Sequence, residues 1–270
     1  GDWPIGVSDG KEQDIWENPH WMLLSYKKEM SASSCTDGHA PQLAANENAQ
    51  NWWQASSSDR KEWLMMDLGK AMDVHAIQIN FADDEIHIPV PGQIRGTTQA
   101  RYIEEADLVT RYLLEGSVDG EKFFVLEDKT KADTDLSHDF LVYENGIEVR
   151  YIRLSDMKVP YGQKPCVSGL RVFGKGKGSL PEQVSYEVER ISGIDMEIVI
   201  DSQEKDEADG TTGYNILWGL KPDKLYHSYL TYDTKKRIGA LVDGESYYVR
   251  VDTFNENGIT EGKLQFVENL

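Results

Sequence analysis

Apolar residues recur at every second position in short runs along the chain. Val74, Ile77, Ile79 and Phe81 alternate once an irregularity at Ala76 is allowed, and the pattern returns over residues 112–116, 149–154 and 170–173. A period of two puts successive side chains on opposite faces of an extended strand. Turn formers lie between the runs: Asp67-Leu68-Gly69, Asp119-Gly120 and Glu144-Asn145-Gly146. Each reads as a break between strands. Helical periodicity is scarce, and only residues 41–50 suit one short helical turn. Many short strands separated by turns predict an all-β sandwich.

A second signal divides the chain. Gly174-Lys175-Gly176-Lys177-Gly178-Ser179 precedes Leu180-Pro181, and alternating Gly and Lys reads as a flexible linker. The expected organisation is an irregular segment 1–24 carrying Trp3, Trp16 and Trp21, a first domain over 25–174, a linker over 175–180 and a second domain over 181–270. The first segment either packs on the first domain or faces something upstream. Residues 83–110 interrupt two good strands with Asp83-Asp84-Glu85, Pro89, Pro91 and Gly96. An interruption of that length suggests a functional or poorly ordered loop.

The second domain is legible from one corner. Leu241-Val242-Asp243-Gly244-Glu245-Ser246-Tyr247 has the L-x-x-G-x-x-Y spacing of a tyrosine corner. There Leu plugs the core, Gly permits the turn and the Tyr hydroxyl satisfies an upstream backbone group. Residues 196–200 alternate, Trp218 is a candidate core aromatic, and Asn255-Glu256-Asn257-Gly258 reads as a hairpin turn. The order resembles fibronectin type III domains, except that Ile198–Ile200 stands where that family usually carries a core Trp.

Composition narrows the function. The 270 residues carry a net charge of −19, which repels phosphates and anionic headgroups and argues against nucleic-acid or membrane partners. No apolar run reaches the ~20 residues of a membrane helix. No secretory leader opens the chain, and Gly1 reads as the remnant of a cleaved tag, so the opening says nothing of compartment. Two cysteines, Cys35 and Cys166, are too few for a disulfide scaffold or zinc site, and whether they pair stays open. No Gly-x-Ser-x-Gly elbow, His-Glu-x-x-His or phosphate loop occurs, and nothing selects one carboxylate pair for glycosidase chemistry.

The first domain carries a series of motifs in order: Ser31-Ala32-Ser33-Ser34, then Ala45-Asn46-Glu47-Asn48-Ala49-Gln50-Asn51-Trp52-Trp53-Gln54, then Trp63-Leu64-Met65-Met66-Asp67-Leu68-Gly69. Glu115-Gly116-Ser117-Val118-Asp119-Gly120, Arg150-Tyr151-Ile152-Arg153-Leu154 and Gly169-Leu170-Arg171-Val172-Phe173-Gly174 follow. The set resembles the discoidin, or coagulation factor 5/8 type C, family and implies a jelly-roll sandwich of galactose-binding-like fold. Pro4-Ile5-Gly6-Val7, Trp21-Met22-Leu23-Leu24-Ser25-Tyr26 and Tyr214-Asn215-Ile216-Leu217-Trp218-Gly219 resemble the C-terminal region of Bacteroides-type family 43 glycoside hydrolases. That resemblance implies a secreted, periplasmic or cell-surface setting. It also implies a catalytic domain upstream in cis, so no catalytic residue belongs to this chain.

Candidate binding residues follow. Trp52 and Trp53 are neighbours, so an extended backbone points them to opposite sides. The resemblance makes Trp53 a core residue. Trp52 either offers its indole face to a sugar ring or packs under residues 1–24. Arg95 and Tyr102 of the long loop, His138 beside Asp139, and Tyr161 in a Pro-Tyr-Gly turn are further candidates for holding a plant or host polysaccharide or oligosaccharide. The resemblance also implies a calcium loop over residues 44–53. Asn46, Asn51 and Gly169 stand where the family carries Asp, Thr and Glu, which favours no metal and leaves backbone carbonyls as the only route to a weak structural calcium. The expected role is a non-catalytic carbohydrate-binding accessory region, with a ligand-free structural spacer as the alternative.

Overall fold

The computed structural model describes residues 21–84, 108–201 and 210–270, and among them the regular structure is almost all strand. Two compact units result, one spanning Leu24–Phe173 and the other holding Gly174–Leu270. Among the described residues no helix is long and apolar enough to cross a membrane.

The first sheet is built from β1 (Met22–Leu23), β2 (Glu29–Ala32), β3 (Trp53–Gln54), β4 (Leu64–Phe81), β5 (Arg111–Ser117), β6 (Phe124–Asp128), β7 (His138–Lys158) and β8 (Cys166–Lys175). Its order is β1-β8-β4-β7-β5-β6, with β2 on β4 and β3 on β8. Two strands are unusually long, and they explain the shape. The start of β4 pairs with β2 and with residues 151–154 of β7, whereas its end pairs with residues 138–142. Register shifts interrupt the β4–β7 ladder between Asp67 and Met72 and between Val74 and Ala76. The two Gly-containing motifs expected to end strands sit at these shifts. Gly69 (φ +84°) and Gly146 (φ +71°) adopt the left-handed region. At Gly146 a Cβ would come within 2.9 Å of the His75 ring. Both segments are therefore bulges inside continuous strands, which bend a strand without breaking its ladder. Leu68, between the first pair of turn formers, is fully buried, and this anchors the chain in the core where a surface turn had been expected.

Trp53, Leu64, Met66, Ile77, Ile79, Tyr112, Leu114, Ile152, Leu154, Leu170 and Val172 form much of the buried apolar set of this unit. Fully burying such a side chain contributes roughly 1.5–3 kcal/mol. Residues 41–45 make a 3-10 turn, Pro41–Ala45. At one end of the unit, Gln54 pairs with Cys166, Ala82 N–H donates to the Cys166 carbonyl (2.9 Å) and Phe81 N–H to the Ser137 carbonyl (2.9 Å). The end of β4, the beginnings of β7 and β8, and β3 thus meet there, together with the connections that lead into them.

The second unit has β9 (Ser185–Ser192), β10 (Asp195–Asp201), β11 (Gly213–Gly219), β12 (His227–Thr231), β13 (Lys235–Ile238), β14 (Tyr247–Asn255), β15 (Gly258–Thr260) and β16 (Gln265–Val267). One sheet runs β13-β10-β9; the other runs β12-β11-β14-β15 with β16 also on β14. Met196, Ile198 and Ile200 join Tyr214, Ile216, Val249 and Val251 in one buried cluster. Trp218 is only partly buried, packing against that cluster and stacking on His227 (5.4 Å, 21°). The corner closes as its spacing requires: Leu241 is buried, Gly244 has φ +80°, and Val242 N–H donates to Tyr247 Oη (3.0 Å).

Residues 175–180 behave differently from the expected flexible tether. Gly176 N–H donates to the Glu256 carbonyl (2.8 Å) and Gly178 N–H to Asn257 Oδ1 (2.9 Å). The Asn255 and Asn257 amides both donate to the Ser179 carbonyl. A Cβ on Gly176 would fall 2.1 Å from Asn257 Oδ1, so glycine here permits close docking onto the β14–β15 hairpin.

Candidate functional site

The strand end that gathers β3, β4, β7 and β8 also gathers polar chemistry. Trp53 points inward, fully buried, and its Nε1–H donates to the Ser34 carbonyl (2.9 Å). Trp52, one residue earlier, points the other way and is half-buried. His39 stacks on its indole with centroids 5.2 Å apart and planes 23° from parallel. His39 Nδ1 lies 3.1 Å from the Trp52 carbonyl oxygen. A carbonyl only accepts, so that nitrogen carries the proton. The other ring nitrogen, Nε2, stands 3.8 Å from Asp84 Oδ2.

Gln54 ties the group together. Its Nε2 donates to Asp84 Oδ2 (2.9 Å) and to Cys166 Sγ (3.4 Å), and its Oε1 accepts from Thr36 (2.8 Å). Cys166 is buried and Cys35 exposed, both as free thiols; burial pushes the Cys166 thiol up to about 11. The result is a stacked His–Trp pair from the connection between β2 and β3, edged by an amide from β3 and a carboxylate from the segment after β4.

A second cluster holds this region in place. The Glu62 carboxylate accepts from the hydroxyls of Ser33, Ser34 (2.7 Å) and Ser57 (2.7 Å). Burial raises its pKa, but these serine hydroxyls outweigh that effect and hold the carboxyl below its ordinary range. Ser33 also exchanges hydrogen bonds with Trp63: its N–H donates to the Trp63 carbonyl (3.0 Å), and Trp63 N–H donates to its Oγ (2.9 Å). Glu62 thereby buckles the segment that leads to Thr36 and His39 onto the one that follows β3.

The remaining candidates disperse. Arg95 and Tyr102, and Glu85 of the acidic trio, lie outside the described residues. His138 and Asp139 do not form a pair. His138 Nδ1 lies 3.2 Å from Asn80 Oδ1 on the exposed face, while Asp139 accepts from the buried Tyr112 hydroxyl (2.5 Å), as strand alternation dictates. Burial and that carboxylate push the Tyr112 hydroxyl far above its usual range. Tyr161 sits in a short 3-10 turn, Pro160–Gly162, with left-handed φ of 60°, on the connection that enters β8. Asn46 Nδ2 donates to Asn51 Oδ1 (3.0 Å), and Asn46 Oδ1 accepts from Asn48 N–H (2.9 Å). Among the described residues no group of three or more His, Cys, Asp or Glu could hold a metal ion.

His39 and Gln54 went unrecognised in the sequence. Chain reversals bring His39 onto Trp52 across 13 positions and Asp84 onto Gln54 across 30.

The family model of the F5/8 type C domain matches residues 29–89. No curated protein matches the chain. Several solved structures are similar over part of it. A chitosan-binding module 1 derived from a chitosanase/glucanase of Paenibacillus sp. IK-5 shares 16% identity over 57% of this chain and 99% of its own length, with a TM-score of 0.42. The family 32 carbohydrate-binding module of Clostridium perfringens NanJ, in complex with galactose, shares 16% over 57% of this chain and 98% of its own, with a TM-score of 0.41. A family 89 glycoside hydrolase from C. perfringens, in complex with PUGNAc, shares 24% over 60% of this chain and 16% of its own, with a TM-score of 0.43.

Proposed function

We propose that this chain is a non-catalytic accessory region of a secreted glycan-degrading enzyme, and that its first unit grips sugar at the strand end bearing Trp52. The observation that carries the reading is the His39–Trp52 stack edged by Asp84 and Gln54. A flat aromatic face gains dispersion and CH contacts from the apolar side of a pyranose, and adjacent carboxylate and amide oxygens accept from its hydroxyls. Weak single-site affinity suffices when a linked catalytic domain shares the tether.

The second unit is read as a fibronectin type III-like spacer. Its split into strands β9, β10 and β13 against the rest, and the hydrogen-bonded Tyr247 corner, support this. The motif series supports an origin beside a family 43 catalytic domain and a cell-surface or secreted setting. Trp52 is the platform; His138, Tyr161 and, outside the described residues, Arg95 and Tyr102 are further proposed sugar contacts.

One observation favours the alternative of a ligand-free brace: His39 occupies one face of the Trp52 indole, and Trp52 Nε1 is buried without an acceptor among the described residues. Isothermal titration against xylan, arabinan and galactan oligosaccharides separates the two. Heat with at least one panel member, lost in Trp52→Ala and weakened in Asp84→Asn, supports binding. Silence across the panel supports bracing.

A further inference from the structure

The loop over residues 44–53 corresponds to the calcium loop of the discoidin resemblance, and its residues do not fit calcium. Calcium needs several oxygens free to converge on one point. Here the Asn51 side-chain oxygen accepts from the amide of Asn46, and the Asn46 oxygen accepts from the N–H of Asn48. The one carboxylate of the loop, Glu47, is taken by a cation already present in the chain. Arg171 Nε lies 3.0 Å from both Glu47 oxygens, and Nη2 lies 2.7 Å from Oε2. Its Nη1 donates to Gln78 Oε1 on β4 (2.9 Å). Glu47 holds a left-handed φ of 59°, an uncommon conformation for a non-glycine residue.

Gly169 links this arrangement to the missing ligand. A Cβ at this position would lie 3.0 Å from Asn80 Nδ2 and 3.5 Å from Arg171 Cγ. A glutamate there would press on the Asn80 amide and lie in ordinary contact with the Arg171 stem. Glycine supplies no carboxylate beside the Arg171 stem, and the arginine head reaches Glu47 instead.

We propose that the Arg171 guanidinium is a built-in replacement for the metal ion: it fastens the 44–53 loop to strands β4 and β8, and the fold of this unit needs no calcium. A guanidinium suits the task because its planar fork binds a carboxylate through two nitrogens and still has a donor for Gln78. It also places positive charge where a second cation would be repelled.

The test uses the whole chain. Thermal unfolding of the first unit is followed with excess EDTA or with millimolar calcium, for the wild type, Glu47→Gln, Arg171→Met and the double variant. The wild-type midpoint is expected to be the same in EDTA and calcium. Each single variant should lower it by about 2–4 °C, and the double variant should lose little more than either single one, because the two residues act as one contact. High salt should narrow the gap between wild type and variants. A wild-type midpoint that falls in EDTA and is restored by calcium but not magnesium overturns the proposal. So do single losses that add fully in the double variant, which would make Glu47 and Arg171 independent. Arg171→Lys supplies a further check: it keeps the charge and loses the fork, so it should recover only part of the loss.

Discussion

Trp52 and Trp53 are neighbours with opposite surroundings, and the contrast separates what builds this fold from what it offers. Trp53 is fully buried, with its indole N–H donated to Ser34. Its packing is internal to the unit. Trp52 is half-buried, stacked on a histidine whose second nitrogen stands 3.8 Å from a carboxylate. A gap of that length is too long for a hydrogen bond. The second unit repeats the first kind of arrangement at Tyr247, where aromatic body and hydroxyl are both satisfied by the chain itself. Closed corners hold structure. Among the described residues the corner at Trp52 is less closed, since His39 Nε2 makes no hydrogen bond to Asp84, and spare polar capacity is the property a binding surface needs.

Substitutions at four residues sharpen this contrast. Trp53→Ala should have the largest effect, destabilising the first unit by about 3–5 kcal/mol through loss of a large buried ring, measurable by urea unfolding. Trp52→Ala should cost clearly less stability, and a comparable loss would erase the distinction drawn between the two residues.

Glu62→Ala comes next, at about 1–3 kcal/mol, because it leaves three serine hydroxyls without their shared acceptor. Its sign with pH is set by the depressed carboxyl. The contribution is fully present above the unfolded glutamate pKa of about 4.3 and fades as pH falls through the lower folded value. Wild type should therefore lose stability on acidification below that point, and Glu62→Gln should flatten that part of the profile. Because Glu62 holds the segment carrying His39, its removal should also weaken any sugar heat seen in titration.

Trp52→Ala should then lower sugar affinity about tenfold, the value of one aromatic stacking contact, while Trp53 fluorescence remains that of a buried indole. Tyr247→Phe should have the smallest effect, about 1 kcal/mol for the Val242 N–H left without its acceptor. It should be confined to the second unit and leave sugar binding untouched.

Much of the architecture was legible in the chain because it rests on local rules. Alternation at 74–81, 112–116 and 196–200 identified strands whose buried faces are those of the structure. The spacing from Leu241 to Tyr247 specified a corner that closes as expected, because its parts are near neighbours in the chain. Local rules failed where glycine has two uses. Gly69 and Gly146 read as strand ends and are bulges, since a positive φ serves either purpose and only the neighbouring strand decides. Gly176 read as flexibility and serves close docking, a distinction made by the Asn255 and Asn257 side chains from the far side of the second unit's sequence.

The sequence by itself determined the strand-rich class, the opposite facing of Trp52 and Trp53 and the corner of the second unit, because periodicity and short spacing act within a few residues; which tryptophan faces inward was implied by the family resemblance. Tertiary structure alone decided that His39, Trp52, Gln54 and Asp84 form one group, that His138 and Asp139 part company, and that Arg171 meets Glu47 across 124 positions of chain. Those meetings depend on where bent strands bring distant loops. A side chain's chemistry states only what it could bind, whereas its neighbours in space set what remains available to bind.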